Sequence, residues 1–173
     1  TWQSFSLSPY IPGVEDNVAE HVLVDSRNYK WITFPRQNKL IVYDDNKTID
    51  DKTDDRIAQI DMNSGANIPT EQINCITEDL NGNIWIGCDR SIKVVYNPSN
   101  VFSKQLYAKN ILLEQNGYVQ NLFEFEMVNS IVVDGANKKW VGTSKAGVFL
   151  ISENGTEQIL NFDEDNSPLL SNQ

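Results

Sequence analysis

The chain has little of what most catalytic centres require. It contains a single histidine, His21, and only two cysteines, Cys75 and Cys88, and it has neither a CxxC pair nor a Gly-rich phosphate loop. Zinc sites, Cys–His dyads and Ser–His–Asp triads therefore lack enough parts. From the sequence we expect no enzyme, no catalytic residue, no cofactor site and no metal site, and we interpret His21 as an ordinary strand residue.

Positive charge and long apolar runs are also scarce. Lysine and arginine number 14 against 24 aspartates and glutamates, which gives a formal net charge of −10 at pH 7. Binding to nucleic acid needs stripes of Lys and Arg, and anionic membrane surfaces attract basic segments. No stretch approaches the roughly 18 apolar residues of a membrane span. The sequence therefore predicts no nucleic-acid partner and no membrane insertion.

What the chain has instead is an internal repeat. Three tryptophans are spaced 54 and 55 residues apart, and an aspartate lies six residues before each of them. The surrounding segments read VLVDSRNYKWITF, CITEDLNGNIWIGC and SIVVDGANKKWVGT, with the tryptophans Trp31, Trp85 and Trp140 and the aspartates Asp25, Asp79 and Asp134. A fixed period of this size is typical of propellers, solenoids and other arrays of one supersecondary unit.

Each repeat is predicted to open with a β-hairpin. Aspartate is favoured at the first position of a type I turn because its carboxylate accepts backbone N–H groups two residues on. The fourth turn position requires a positive φ, which suits Gly82 in the second copy and Asn28 and Asn137 in the others. We therefore interpret the three aspartates as turn formers, and we expect Asp79→Ala to cost about 1 kcal/mol of stability.

Each repeat then continues with further strand-like segments. Third strands are predicted over 39–44, 91–97 and 147–152, and fourth strands over 56–61, 106–113 and 156–162. Four antiparallel strands per roughly 50 residues make one propeller blade. The predicted fold class is therefore all-β, with about three four-stranded antiparallel blades.

Residues 1–173 are assigned to one partial β-propeller, with repeats at approximately 18–67, 68–122 and 123–173. Closed propellers generally have about four to eight blades, so three repeats predict a fragment of a larger propeller. Each repeat tryptophan is expected to wedge between neighbouring blades. Apolar rows at the two open ends are expected to be partly uncovered and to drive self-association: Leu40, Val42 and Tyr43 at one end, and Val148, Leu150 and Ile151 at the other.

Whether the two cysteines can form a disulfide depends on the register of the second hairpin. A type I turn plus bulge places Cys75 opposite Gly87. It places Cys88 opposite Asn74, so that the two sulfurs point to opposite faces of the sheet. A two-residue Asn-Gly turn would instead bring the two cysteines within disulfide reach. The asparagines at the turn of the other copies favour the first register, and so two free thiols.

Two further segments carry candidate binding residues. Residues 43–55 contain six aspartates, which we interpret as a solvated loop, with weak calcium binding as the minor alternative. In residues 116–127, Phe123 and Phe125 alternate with glutamates, which predicts a half-buried strand that enters the third hairpin. Tyr118 lies in a turn-like stretch and is a weak candidate for ligand binding, as an exposed stacking aromatic.

The copies resemble the two-component-regulator propeller repeat. Its pattern, I-x-x-D-x-x-G-x-x-W-I-G-T followed by G-hydrophobic-x-x-hydrophobic, is matched best by residues 73–97, well by 128–150 and with departures by 19–43. In the first copy Phe34 replaces the usual small residue and Pro35-Arg36 replaces the approach to glycine. The phrases LFEFEMVNSIVVDGANKKWVGT and GTSKAGVFLISENGTEQILNFDEDNSPLLSNQ are also similar to the PorZ-like propeller proteins.

These resemblances imply two functions, neither of them enzymatic. The repeat is abundant in the extracytoplasmic sensor regions of hybrid two-component systems of Bacteroidetes. It implies first a periplasmic or cell-surface module that senses a ligand, commonly a glycan fragment or another envelope ligand. PorZ-like proteins are cell-surface proteins associated with type IX secretion in the same phylum. They imply, as the alternative, a module that docks partner proteins or lipopolysaccharide.

Overall fold

Three four-stranded antiparallel sheets make up most of the protein. The computed structural model describes residues 19–35, 39–60, 72–103, 106–115 and 117–172. Within each sheet the strands lie side by side in chain order, as they do in a propeller blade. The prediction of an all-β fold with three four-stranded blades is confirmed.

The strand bounds follow the repeat. Blade 1 consists of β1 to β4, which are His21–Val24, Lys30–Phe34, Lys39–Asp44 and Arg56–Ile60. Blade 2 consists of β5 to β8, which are Ile73–Glu78, Ile84–Cys88, Ile92–Val95 and Lys109–Asn110. A separate hairpin follows, formed by β9 and β10, which are Leu112–Gln115 and Tyr118–Asn121. Blade 3 consists of β11 to β14, which are Val128–Val133, Lys139–Thr143, Val148–Ile151 and Gln158–Phe162.

The segment between β7 and β9 departs from the predicted strand. A 3-10 helix of one turn, Pro98–Asn100, precedes the short strand β8. The fourth strand predicted over 106–113 is divided between β8 and β9. Within the described residues we find no helix that would span a lipid bilayer.

The first hairpin of every blade is closed by its aspartate. In blade 2 the Asp79 Oδ1 atom accepts hydrogen bonds from the backbone N–H groups two and four residues on, at 3.0 and 2.8 Å. Asp25 and Asp134 accept the equivalent bonds in their own turns. The fourth turn position has a positive φ in all three copies: 72° at Asn28, 74° at Gly82 and 60° at Asn137. The interpretation of the aspartates as turn formers is confirmed.

Each blade has two faces, which pack against different neighbours. We call the face that carries the repeat tryptophan the trailing face and the opposite one the leading face. On the trailing face of blade 1, cross-strand partners form the row Leu23, Trp31, Val42 and Ala58. This row belongs to one core cluster with Ile84 of the leading face of blade 2. In the same way, Trp85 and Val94 of blade 2 pack with Ile131 and Val141 of blade 3.

The three tryptophans do not share one environment. Trp31 and Trp85 are 0% and 1% exposed, which confirms that they wedge between blades. Burial was also expected for Trp140, and this is wrong, since the side chain is 36% exposed. Among the described residues no further blade covers the trailing face of blade 3. Trp140 instead stacks on Phe162 of the outermost strand, with ring centroids 5.9 Å apart.

The apolar side chains uncovered at the two ends differ from those expected. Five of the six residues predicted to line open rows are buried: Leu40, Val42, Tyr43, Leu150 and Ile151. Leu40 and Val42 lie against blade 2, and Ile151 lies on the face of blade 3 that blade 2 covers. The large apolar side chains that are exposed on the end blades include Val22, Val24, Val132 and Leu160.

The segment that enters blade 3 is a turn and not the predicted strand. Residues 122–125 form consecutive turns, and Phe123 has a positive φ of 60°. Its ring packs edge-on against Phe149, with centroids 5.0 Å apart, whereas Phe125 is 84% exposed. A strand would place both phenylalanines on one face. The alternation with glutamate was therefore misleading, because one ring points inward and the other outward.

The register of the second hairpin is as predicted, with one difference. Cys75 lies opposite Gly87, and both cysteines are free thiols. Cys88 faces Ile73 instead of Asn74, because the register shifts at Asn74 in β5. An equivalent shift interrupts β11 of blade 3. Burial raises the pKa of Cys75 to about 11, so this thiol is unreactive at neutral pH.

Candidate functional site

A polar pocket of about 490 Å³ opens between blades 2 and 3. It lies at the end of the blades that carries the aspartate turns. Carboxylates, amides, hydroxyls and two aromatic rings line it, among them Asp79, Asn83, Trp85, Tyr96, Glu153 and Glu157. These groups are suited to hydrogen bonding with a polar ligand or a positively charged one.

Asp79, which lines this pocket, forms a buried ion pair across the blade boundary. The Lys139 Nζ atom lies 3.3 Å from Asp79 Oδ2 and 4.3 Å from the centroid of the Trp85 ring. The same ammonium group donates to the carbonyl oxygens of Asn137 and Glu153, at 2.8 and 2.6 Å. Both side chains of the pair are almost fully buried. The pair therefore holds the hairpin turn of blade 2 against blade 3.

The pKa values of the pair reflect its burial and its partners. Burial alone would raise the pKa of the Asp79 carboxyl, whereas the hydrogen bonds from Trp85 and Asn83 lower it. Together with the charge of Lys139 they outweigh burial, and the pKa lies below its ordinary value. Burial lowers the pKa of Lys139, and the charge of Asp79 opposes that shift only in part. Asp79 is therefore ionised at neutral pH and serves as a fixed negative charge.

The aspartates also anchor the tryptophans of their own blades. The Trp85 Nε1 atom donates to Asp79 Oδ2 at 2.8 Å, and the Trp31 Nε1 atom donates to Asp25 Oδ2 at 3.0 Å. From the sequence the aspartates were assigned to turns alone, and this bond was missed. The signal for it was the constant spacing of six residues in all three copies.

Lys139→Ile is expected to change the free energy of unfolding by only about 1 kcal/mol, less than the usual loss on removing one partner of a buried ion pair, because the Asp79 carboxylate that remains keeps its other hydrogen-bond donors. Ile84 occupies the equivalent place in blade 2, and Asp79 keeps its bonds from Trp85 and the turn. Urea denaturation measures the change, with Lys145→Ile at an exposed lysine as the control. A loss above about 3 kcal/mol, typical of a buried charge left without its partner, would contradict the expectation.

A second candidate surface is the connection from blade 2 to blade 3, residues 111–127. Because neighbouring strands are antiparallel, this connection lies at the opposite end of the blades from the aspartate turns. Tyr118 begins β10 directly after Gly117, whose φ is +79°, and its side chain is 79% exposed. Tyr118 is thus a strand residue and not a turn residue, because the turn is completed at the glycine. The same connection carries the exposed Phe125.

The remaining sequence candidates have structural roles. His21 is a strand residue of β1, as interpreted. The aspartates of residues 43–55 engage their own loop and its neighbours: Asp45 pairs with Lys30 at 2.7 Å, and Asp44 pairs with Arg56. In the ranges that the structure describes, no three His, Cys, Asp or Glu side chains are grouped so as to hold a metal ion.

One segment of the chain matches a known family of propeller repeats. Residues 67–90 match the model of the family described as two component regulator propeller. The match lies on the second copy of the repeat, and the resemblance seen in the sequence is confirmed. A search of the curated proteins found no match.

Solved structures with the same fold come from the bacterial cell envelope. PorZ, an essential surface component of the type-IX secretion system of Porphyromonas gingivalis, is 28% identical with a TM-score of 0.79, over 90% of this chain and 22% of that one. The extracellular domain of a putative hybrid two component system of B. thetaiotaomicron is 24% identical with a TM-score of 0.59, over 90% of this chain and 17% of that one. The extracellular domain of a putative one component system of B. thetaiotaomicron is 20% identical with a TM-score of 0.57, over 87% of this chain and 19% of that one. The chain thus spans about a fifth of the length of these structures.

Proposed function

We propose that the chain is part of a non-catalytic recognition module of the bacterial cell envelope, located in the periplasm or on the cell surface. The observation that carries the proposal is the presence of two strongly exposed aromatic side chains, Tyr118 and Phe125, on one connection between blades. Aromatic rings contribute a large contact area, and the tyrosine hydroxyl adds a hydrogen bond. This chemistry suits a sugar ring or an apolar side chain of a protein partner.

Docking of a partner protein or of lipopolysaccharide is the first candidate activity. It is supported by the similarity to PorZ, which is higher in both identity and TM-score than that to the two B. thetaiotaomicron structures. PorZ is an essential surface component of the type-IX secretion system. A docking surface on a scaffold of this kind requires exposed contact residues and no catalytic group.

Ligand sensing for a two-component regulator is the second candidate. It is supported by the family match at residues 67–90. In that role the ligand is a glycan or another envelope molecule, and the polar pocket between blades 2 and 3 is the second surface available to it. The two surfaces lie at opposite ends of the blades, so a substitution in one surface leaves the other unchanged and binding to each can be tested by itself.

The proposal predicts that Tyr118→Ala combined with Phe125→Ala weakens binding at least about tenfold, since tenfold corresponds to about 1.4 kcal/mol. Binding is measured by calorimetry with purified lipopolysaccharide and on an array of envelope glycans. Tyr96→Ala is the matched control, because Tyr96 is also exposed but lines the polar pocket. We expect this control to bind like the unmodified protein.

Two outcomes would overturn this assignment. Unchanged binding by the double variant would show that the connection carrying Tyr118 and Phe125 is not the contact surface. Loss of binding in Tyr96→Ala alone would place the ligand in the polar pocket. Preference for lipopolysaccharide over isolated glycans supports the docking role, and the reverse preference supports the sensing role.

A further inference from the structure

The polar pocket between blades 2 and 3 carries a net negative charge. Its wall contains three carboxylates, those of Asp79, Glu153 and Glu157, and none of its ten lining residues is a lysine or an arginine. The buried Lys139 ammonium, which pairs with Asp79, compensates one of the three charges. Hydrogen bonds, first that from Asn81, hold the pKa of Glu153 below its ordinary value, so this carboxylate is ionised at neutral pH. Three carboxylates against one ammonium leave two negative charges on the pocket.

Several polar groups of the wall are available to a ligand. Glu153 accepts the side-chain amides of Asn81 and Asn137 on one oxygen, Oε1, at 2.7 and 3.1 Å. Its Oε2 atom accepts no hydrogen bond from the described residues. Among the same residues, the Glu157 carboxylate and the Tyr96 hydroxyl have no hydrogen-bond partner either. The pocket therefore offers anionic acceptors that the fold itself does not use.

The wall is fixed in place before any ligand arrives. The turn over residues 152–157, which carries two of the carboxylates, is closed by backbone bonds from Ser152 to Glu157 and from Gly155 to Ser152. A Cβ atom added to Gly155 would lie 3.1 Å from the Trp85 ring, so the turn lies directly against that ring. The facing wall is the turn closed by Asp79. A site with fixed walls loses less free energy to ordering when it binds.

An aromatic ring adds a second attraction for positive charge. Tyr96 follows β7, and its side chain is 45% exposed in the pocket. Ammonium groups are attracted to the face of such a ring. Trp85 shows the same chemistry inside the wall, since the Lys139 Nζ atom lies 4.3 Å from its ring centroid and 3.3 Å from an Asp79 oxygen. An ammonium group held by a carboxylate and an aromatic ring together is thus already present at this blade boundary.

The spread of the acceptors favours an organic cation over a metal ion. In the described ranges no three acidic, His or Cys side chains are grouped so as to hold a metal. The carboxylates instead line a volume of about 490 Å³, within the range of about 300–1,000 Å³ that is usual for small-molecule pockets. Amides and hydroxyls lie between them, and these groups bond to the hydroxyls or further amines of an organic ligand.

We propose that this pocket binds a small organic ligand through a primary ammonium group, as supplied by an amino sugar or an aliphatic diamine. The Glu153 and Glu157 carboxylates accept the N–H groups of the ammonium, and the Tyr96 ring contacts it. The site is separate from the connection that carries Tyr118 and Phe125. The inference therefore stands whether or not that connection binds lipopolysaccharide or a glycan.

Calorimetry of the 173-residue chain with two amines tests the ligand class. Glucosamine is compared with glucose, and cadaverine with the diol of the same length, so that each amine has a neutral analogue of similar size. We expect each amine to bind at least about tenfold more tightly than its analogue. Sodium chloride should weaken this binding, because it screens the charges. The amine that binds more tightly identifies the source of the ammonium group.

Substitutions in the pocket test the site. Glu153→Gln keeps an oxygen for the two asparagine amides and removes the charge, and it should weaken binding about tenfold. Tyr96→Leu should also weaken binding, whereas Tyr96→Phe keeps the ring and should retain it. Glu20→Gln is the matched control, since Glu20 is an exposed glutamate just before β1, at the opposite end of the blades. Thermal melting shows whether each variant is folded.

Four results would overturn the proposal. The first is no binding of either amine at millimolar concentration, and the second is equal binding of the neutral analogues. The third is unchanged binding by a folded Glu153→Gln variant. The fourth is an equal loss in Glu20→Gln, which would show that the amines are attracted to the net charge of the protein and not to the pocket.

Discussion

Replacing Trp85 with alanine is expected to destabilise the protein by about 3–5 kcal/mol, the usual range for removing a large aromatic side chain from a core. Trp85 is 1% exposed and packs with the leading face of blade 3. Its indole also donates to Asp79, and the Lys139 ammonium lies over its ring. The substitution therefore removes apolar contacts and leaves two buried charged groups with fewer partners. Urea denaturation followed by circular dichroism gives the free energy of unfolding.

Trp140→Ala is the matched control for this measurement. It is the same residue at the same place in the repeat, but it is 36% exposed and its main aromatic contact is Phe162 of its own blade. We expect it to cost clearly less than Trp85→Ala, because about a third of Trp140 is exposed and no following blade covers it among the described residues. Equal losses for the two variants would show that blade-to-blade packing is not what the repeat tryptophan contributes.

Replacing Asp79 with alanine is expected to cost about 3–5 kcal/mol, more than the roughly 1 kcal/mol predicted for a turn aspartate alone. The difference arises because Asp79 is the carboxylate partner of Lys139, whose side chain is fully buried. Removal of one partner leaves the other charge buried and unpaired. Asp134→Ala is the control, since Asp134 closes the equivalent turn and has no lysine from a following blade among the described residues. It should cost about 1 kcal/mol.

The pH dependence of the Asp79 contribution has a definite sign. Its pKa in the folded protein is below the ordinary value, so the folded state binds fewer protons than the unfolded state in this range. The stabilisation that ionised Asp79 contributes to the folded protein is complete above the ordinary aspartate pKa of about 3.9. It is lost as the pH falls through the lower pKa of the folded state. On the acid side of neutral pH, the difference in stability between the unmodified protein and Asp79→Ala should therefore shrink only below about pH 3.9. A difference that shrinks between neutral pH and pH 5 would contradict the ion-pair explanation.

The fold was largely predictable because the repeat encodes it three times. The aspartate, the residue with positive φ and the tryptophan recur at constant spacing, and each has a local physical reason. The opposition of Cys75 and Gly87 followed from the turn type and is confirmed. The shift at Asn74 was not predictable, because a bulge adds a residue to one strand without changing the hydrophobic pattern around it.

The candidate site was harder to predict because its contacts cross blade boundaries. Lys139 and Asp79 are 60 residues apart, and no local pattern connects them. A signal was nevertheless present, since Lys139 occupies the position that Ile84 fills in the second copy, where a buried residue is expected. Phe123 and Phe125 were misjudged for a related reason. Their spacing is that of a strand, whereas Phe123 has a positive φ and its ring contacts Phe149, which is distant in the sequence.

The contrast between the two boundaries also bears on how such a chain can evolve. The boundary between blades 1 and 2 is apolar at the position of Ile84, and the next boundary is ionic at the equivalent position of Lys139. In an array whose units contact mainly their chain neighbours, each boundary contributes its own term to the stability. One boundary can therefore exchange its chemistry while the other stays unchanged. The same blade geometry thus accommodates both an apolar and an ionic boundary within one molecule.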